Sequence, residues 1–180
     1  EYTKNLALTI FDQVDQSETF VDFFARLIFQ LFEESGLVLV DSGNMKLRDM
    51  QSAVFEQLIM HQPSITNAIY KTSEKIKHNG FSVQVDVTEQ DGNLFYHDEQ
   101  GERILLIRSD SQWIGKNDEV SFTTDEMIQM AQHEPRRLSN NVMTRPIMQE
   151  ALFPTLAFVA GDGEISYWAL LKDAFSAYHS

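Results

Sequence analysis

Two short apolar runs, one towards each end of the sequence, constrain the fold more than any other feature. The run Leu-Val-Leu-Val at residues 37–40 lies between Gly36 and an Asp-Ser-Gly turn, and the run at residues 155–160 ends at Gly161. A short apolar run without alternation is typical of a strand that is covered on both faces, as in a parallel sheet. We therefore predict that both runs are strands of one parallel sheet.

The periodicity between these two runs changes from helical to strand-like. Helical spacing predicts helices at residues 46–61 and 63–80, and apolar and polar residues then alternate from Phe81 to Val87. Asp91 to Asn93 reads as a turn, and a capping box of Thr123 and Glu126 starts a further helix. The remaining predicted strands cover residues 94–96, 104–107, 113–114 and 120–122. Short strands separated by turns predict an antiparallel meander.

This order of elements predicts an α/β fold in which a parallel core is interrupted by an α+β insertion with an antiparallel meander. Residues 1–61 would form the first part of the core, with helices at 3–16 and 18–36 and a strand at 37–42. Residues 62–135 would form the insertion. Residues 136–180 would return to the core, with a short helix at 146–152, the strand at 155–160 and a last helix at 164–179.

Composition excludes several classes of function. The formal net charge of −13 argues against general affinity for nucleic acid or an anionic membrane, because both need a basic surface. The absence of cysteine excludes disulfides, thiolate metal sites and a cysteine nucleophile, and the five histidines lack metal-ligand spacing. No apolar run approaches the roughly 20 residues of a membrane span. We expect a cytoplasmic protein without a metal site, and the first residue, Glu1, suggests a segment of a longer chain.

A polar block at residues 139–145 is the best candidate for binding chemistry. Ser139, Asn140 and Asn141 are followed by Thr144 and Arg145, and two more arginines precede them, so that three arginines lie within ten residues. These arginines could form a local anion site, because the planar guanidinium donates two parallel hydrogen bonds to a carboxylate. The alternative is a solvated loop whose salt bridges and helix-capping amides have no ligand.

Two turns that follow the apolar runs are further candidates. Ligands of open α/β sheets bind beyond the carboxyl ends of the strands, which is where Ser42 and Glu164 lie. Tyr167 lies three residues after Glu164 and would share its side of a helix. The alternatives are a plain turn at Ser42 and a carboxylate that stabilises the helix N-terminus at Glu164.

Four sequence blocks together resemble a known family. They read S-N-N-V-x-T-R-P-x-M-Q-E at 139–150, P-T-L-A-F-x-A-G-x-G-E-I-x-Y-W at 154–168, F-x-D-F-F-x-x-L-I at 20–28 and N-L-F-Y at 93–96. These blocks resemble the family of the bacillithiol-biosynthesis cysteine-adding enzyme, a family of cysteine ligases. The resemblance covers essentially the whole chain.

The resemblance implies a ligase-like reaction in which cysteine is joined to glucosaminyl-malate. It also implies that the parallel core is a partial Rossmann-like core, that the insertion resembles a connective peptide, and that the full-length protein is a homodimer through a coiled coil absent from this chain. The family's N-terminal Rossmann portion is absent as well, so we expect an internal fragment that is inactive alone. No cofactor is evident in this chain, and the use of a nucleotide by the full-length enzyme is an open question.

For that reaction, we expect the candidate residues to form one wall of a substrate pocket. Arg145 would bind malate carboxylates, Glu164 an amine of glucosamine or cysteine, and Tyr167 would close the pocket with its hydroxyl. The other candidates for substrate binding are Asn140, Asn141, Thr144 and Ser42. No catalytic residue is assigned. The competing hypothesis is a non-catalytic scaffold or subunit-interaction domain of a larger protein.

Overall fold

The structure, a computed structural model, describes residues 2 to 179. The chain divides into two compact units, Glu1–Asn44 and Met45–Ser180. The boundaries predicted from the sequence, after residues 61 and 135, stay a prediction.

The first unit contains two helices that contact each other, α1 (Tyr2–Asp15) and α2 (Phe20–Leu31). Thr19 starts α2, because its hydroxyl accepts a hydrogen bond of 3.1 Å from the backbone N–H of Asp22. Both predicted helices are confirmed, although α2 ends five residues before Gly36 and leaves a short turn.

The predicted strand at residues 37–40 is wrong. The segment has no regular secondary structure, and Val38 is 78% exposed. An extended segment becomes a strand only when a neighbouring strand pairs with its backbone N–H and C=O groups. No strand is described between residues 2 and 44 that could pair with it.

The second unit contains helices at most of the predicted positions. They are α3 (Met45–Met50), α4 (Ser52–Met60), α5 (Gln62–His78), α6 (Thr124–His133), α7 (Arg145–Leu152), α8 (Asp162–Trp168) and α9 (Lys172–Tyr178). The helix predicted at 46–61 divides at Gln51, and the last helix divides after Trp168. The capping box of Thr123 and Glu126 is confirmed at the start of α6. None of the helices in the described part of the chain is both long and apolar enough to cross a membrane.

One antiparallel sheet forms the β-structure of the second unit. Its strands are β1 (Asp91–His97), β2 (Arg103–Ser109), β3 (Gln112–Gly115), β4 (Ser121–Thr123) and β5 (Leu138–Asn140), in the order β4-β3-β2-β1-β5. The predicted meander is therefore confirmed. The predicted turn at Asp91 to Asn93 is wrong, because these residues begin β1. Strand β5 was not predicted, and it pairs with β1.

Two further predicted strands are wrong. Residues 81–87 form no strand, although their alternation correctly identifies Val83, Val85 and Val87 as residues that pack on the core. Residues 155–160 also form no strand, and the side chain of Leu156 is fully exposed. The predicted parallel sheet is thus absent from residues 2 to 179, because neither apolar run has a paired neighbour.

The core of the second unit lies between one face of the sheet and the helices. Its largest fully buried side chains come from α4, α5, α6, α7 and strands β1, β2, β3 and β5: Phe55, Leu58, Ile65, Ile69, Leu94, Leu106, Trp113, Met127, Leu138 and Ile147. Leu94, Leu106 and Leu138 therefore define the inner face of the sheet. The alternate residues of these strands lie on the outer face.

Candidate functional site

Three of the predicted site residues meet where the start of α7 contacts α8. Arg145 is the first residue of α7, and Glu164 and Tyr167 lie three residues apart in α8, on one side of the helix. Nη2 of Arg145 donates a hydrogen bond to the Tyr167 hydroxyl and another, of 3.4 Å, to Oε1 of Glu164. The Tyr167 hydroxyl donates to the same carboxylate oxygen at 3.4 Å. We call these three residues the Arg145 group.

The Arg145 group combines a cation and an anion that are both accessible to solvent. The side chain of Arg145 is 42% exposed and that of Glu164 is 49% exposed, whereas Tyr167 is buried. Nη1 of Arg145 also donates to Oε1 of Gln149 at 3.2 Å, which orients the guanidinium. An ion pair with this exposure contributes only about 0–1 kcal/mol. A ligand carboxylate could therefore replace Glu164 as the partner of Arg145 at small cost.

Asn141 and Thr144 point into the protein. Nδ2 of Asn141 donates to Oδ1 of Asn93 at 2.9 Å, and its Oδ1 accepts from the backbone N–H groups of Met143 and Thr144. Thr144 is 2% exposed, and its hydroxyl donates to the backbone oxygen of Asn93 at 2.7 Å. These groups hold the start of α7 against β1. Their predicted contact with substrate stays a prediction. The capping alternative does not account for the Thr144 hydroxyl, which makes no cap hydrogen bond to α7 and donates to β1 instead.

Asn93 is the residue that sequence reasoning missed. Its backbone has a left-handed φ of 59°, and its side chain is buried. Nδ2 of Asn93 donates to the Thr66 hydroxyl at 2.8 Å, which in turn accepts from Gln62 at 3.0 Å. Asn93 thereby connects α5, β1 and the residues that start α7. The available signal was an Asn in an Asp-Gly-Asn sequence, because Asn is one of the few residues that tolerate a left-handed backbone.

Asn140 and Ser42 lie apart from these contacts. Asn140 ends β5, and its Oδ1 is buried without a hydrogen-bond partner among the described residues. Ser42 is an exposed residue of a turn in the first unit, where Oδ1 of Asp41 accepts a hydrogen bond of 2.8 Å from the Gly43 N–H. A role for Asn140 or Ser42 in substrate binding stays a prediction.

The hypothesis that three neighbouring arginines form one anion site is wrong. Arg136 forms a bidentate pair with Asp49, with hydrogen bonds of 2.6 and 2.5 Å, and this pairing lowers the pKa of the Asp49 carboxyl. Arg137 donates to the Tyr96 hydroxyl and forms an ion pair with Glu134. Of the three arginines, only Arg145 belongs to the Arg145 group. Arg136 and Arg137 lie in the short 3₁₀ helix at Pro135–Arg137, before β5, and their side chains point to other partners.

A cavity of about 300 Å³ lies elsewhere in the second unit. It is lined by Gln62, Pro63, Asn67, Glu89, Arg108 and Asp110. Arg108 is already engaged there, because it donates hydrogen bonds to Thr124 and to the backbone oxygen of Asp110. Within residues 2 to 179, no cluster of three or more His, Asp or Glu side chains is placed to hold a metal ion.

Comparison with known proteins places the chain among relatives from bacilli. Residues 1–180 match the family model described as Bacillithiol biosynthesis BshC, N-terminal Rossmann-like domain. The resemblance to this family and to a Rossmann-like domain is thereby confirmed, whereas the expectation that the family's N-terminal Rossmann portion is absent from this chain is wrong, because the match is to that domain. Three curated relatives share the name "Putative cysteine ligase BshC". The protein of Oceanobacillus iheyensis is 42% identical over 176 residues, which are 97% of this chain and 32% of the relative. Those of Lysinibacillus sphaericus and a Geobacillus species are each 43% identical, over 98% and 99% of this chain. The chain thus spans about a third of the length of these relatives.

Proposed function

The chain belongs to the BshC N-terminal Rossmann-like domain family, and from this premise we propose that it is part of a ligase that joins cysteine to glucosaminyl-malate in bacillithiol biosynthesis. The substrate follows from the resemblance of the sequence blocks to that family. Within such an enzyme, the chain would supply one wall of the substrate pocket.

The convergence of Arg145, Glu164 and Tyr167 is the observation that supports this proposal. The substrates carry carboxylates and amines, and the group presents a guanidinium beside a carboxylate, 3.4 Å apart. We assign the malate carboxylate to Arg145, which would exchange Glu164 for a bidentate partner. The released Glu164 would bind an ammonium group of glucosamine or cysteine. In a chain of net charge −13, such a local cation is needed to hold a dicarboxylate.

The chemistry of the reaction suits the Arg145 group to substrate binding rather than to catalysis. An amide forms when the amine attacks the activated carboxyl of cysteine, the bond from the carboxyl carbon to its activating group breaks, and the nitrogen loses a proton. The amine attacks only in its unprotonated form. A carboxylate beside an amine stabilises the ammonium form, so Glu164 suits binding better than proton abstraction. We therefore propose that the Arg145 group binds and orients the substrate.

Arg145→Lys in the intact protein tests this assignment. Lysine keeps the charge but loses the planar fork, so we expect the KM for glucosaminyl-malate to rise about tenfold, equivalent to about 1.4 kcal/mol, with little change in kcat. Arg136→Lys is the matched control, because Arg136 pairs with Asp49 and lies outside the group. An unchanged KM in Arg145→Lys would refute the assignment.

The exposed apolar face of α2 favours a second candidate function. Phe20, Phe24 and Leu31 are all exposed on this helix, and Phe20 is 91% exposed. Such a surface is typical of a protein contact, so the first unit would act as an interaction domain. On that hypothesis Arg145→Lys leaves the kinetics unchanged, whereas Phe20→Ser alters the assembly state seen by light scattering.

The same family membership supports three further proposals about the intact protein and this chain. The intact protein would be a homodimer through a coiled coil outside this chain, and the chain alone would be inactive because other parts complete the pocket. The enzyme would act in the cytoplasm, where the thiol of its cysteine substrate stays reduced. A nucleotide stays open as a further ligand of the intact enzyme.

A further inference from the structure

The outer face of the sheet carries a group of polar side chains near β5. In the antiparallel register, His97 lies directly opposite Arg103, and Phe95 lies directly opposite Ser139. Residues directly opposite each other share a face, and so do residues two apart in a strand. His97, Arg103 and Ser139 therefore lie together, on the face opposite to the buried Tyr96.

Hydrogen bonds orient these side chains. Nε2 of His97 lies 2.8 Å from the Ser139 hydroxyl, and Nε of Arg103 donates to the same hydroxyl at 3.2 Å. Nη2 of Arg103 donates to the backbone oxygen of Asn140 at 3.0 Å, and its guanidinium lies 3.9 Å from the centre of the Phe95 ring. The exposed side chain of Arg103 is thus held against β5 by two hydrogen bonds.

A second arginine reaches the same edge from α3. Nη2 of Arg48 donates to the backbone oxygens of Leu138 at 2.9 Å and Arg136 at 2.7 Å. Burial, followed by the charges of Arg48 and Arg103, lowers the pKa of His97. Burial and the charge of Arg103 likewise lower the pKa of Arg48. We call Arg48, His97 and Arg103 the outer-face cation cluster.

The outer-face cation cluster lacks a matching carboxylate. Across residues 2 to 179, neither Arg48 nor Arg103 has an Asp or Glu oxygen within 4.0 Å. Asp49, next to Arg48, is taken by Arg136, and Asp98 acts on His97 only through space. The chain is rich in acidic residues, yet none of those at positions 2 to 179 lies within 4.0 Å of either guanidinium group. Like charges held together repel one another, and an anion between them would remove that repulsion.

We propose that the outer-face cation cluster binds a small oxyanion, a phosphate or a carboxylate. Nη1 and Nε of Arg48 and Nη1 of Arg103 donate no hydrogen bond to the part of the chain that the structure describes, so they are available to the ligand. The net charge of −13 disfavours a nucleic acid as the source of the anion. This site uses none of the Arg145 group and goes beyond the proposed ligase function.

The test is a titration of the intact protein with selectively labelled histidine. Inorganic phosphate and succinate are added in separate arms at constant ionic strength, and the ring signals of His97 are followed by NMR. The His97 signals are identified by their loss in His97→Gln. We expect a saturable shift, together with a rise in the pKa of His97, because a bound anion stabilises the imidazolium against the charges of Arg48 and Arg103.

Three variants locate the binding site. Arg103→Gln and Arg48→Gln are each expected to weaken binding by about tenfold or more, because each variant removes a charged hydrogen-bond donor. Lys116→Gln is the matched control, because it removes one positive charge from the exposed turn after β3. Arg145→Lys should leave the His97 shift unchanged, which separates this site from the proposed substrate site.

The two arms also identify the ligand. Saturation by phosphate alone supports a phosphate ligand, and saturation by succinate alone supports a carboxylate ligand. Saturation by both supports a general oxyanion site. The absence of a saturable shift in both arms would overturn the proposal. So would binding that is equally strong in Arg48→Gln. Among the residues that the structure describes, the Arg48 side chain donates hydrogen bonds to two backbone oxygens only, so we expect the variant to fold, as circular dichroism can verify.

Discussion

Replacing Asn93 by alanine should destabilise the second unit substantially. The change removes the hydrogen bond from Asn93 to Thr66, of 2.8 Å, and the one from Asn141 to Asn93, of 2.9 Å. Each buried hydrogen bond contributes about 1 kcal/mol. Alanine must also adopt the left-handed φ of 59°, which costs about 1 kcal/mol or more. We expect a loss of about 3 kcal/mol in the free energy of unfolding.

Two companion variants separate these contributions. Asn93→Gly removes the same hydrogen bonds without the backbone strain, and it should lose about 2 kcal/mol. Asp118→Ala is the matched control for strain alone, because Asp118 has a φ of 63°, is exposed, and makes no side-chain hydrogen bond within the described ranges. It should lose about 1 kcal/mol.

Urea unfolding followed by tryptophan fluorescence measures these losses, since Trp113, in β3, is fully buried. If Asn93→Ala and Asp118→Ala destabilise the protein equally, the hydrogen bonds of Asn93 contribute nothing and the reasoning is refuted.

Two other predictions concern single contacts of the same unit. Asp49→Asn should destabilise the protein near pH 7 but not in acid. The hydrogen bond from Arg136 lowers the pKa of Asp49 in the folded protein. The stabilisation by Asp49 is therefore present above the pKa of an unfolded aspartate, about 3.9, and is lost as the pH falls through the lower pKa of the folded protein. Urea titrations across this pH range measure the difference in the free energy of unfolding between Asp49→Asn and the unaltered protein. A difference that does not depend on pH would contradict the prediction. Gly92→Ala should cost about 2 kcal/mol or more, because its new Cβ would lie 2.5 Å from the backbone oxygen of Leu106 in the paired strand β2. An unchanged melting temperature in Gly92→Ala would show that the sheet yields at this point.

Features that depend on neighbouring residues were predictable. The capping box of Thr123 and Glu126 and the proline at the start of α5 act within one helical turn, so the sequence alone locates these helix starts. The meander was also predictable, because its strands are joined by short turns and pair in sequence order. The strands predicted at 37–40, 81–87 and 155–160 failed for the opposite reason. Their apolar residues carry no information on whether another strand lies beside them.

The sequence named Arg145, Glu164 and Tyr167 as candidates, but the geometry of the candidate site was only partly predictable. The blocks at 139–150 and 154–168 contain Arg145, Glu164 and Tyr167, and the structure brings these three together. The same blocks could not show that Asn141 and Thr144 turn inward. An amide and a hydroxyl can bond to a ligand or to the protein, and the decision depends on Asn93, 48 residues earlier than Asn141.

The sequence by itself determined the helix starts, the meander, the resemblance to a family of cysteine ligases and the residues of the Arg145 group. Only the tertiary structure decided that β5 pairs with β1, that Asn93 anchors the start of α7, and that Arg48, His97 and Arg103 gather near β5 with no ion-pair partner for either arginine among residues 2 to 179. The physical reason is the range of the interactions. Capping and periodicity act over a few residues, whereas strand register and charge clustering depend on residues that are distant in sequence and adjacent only after folding.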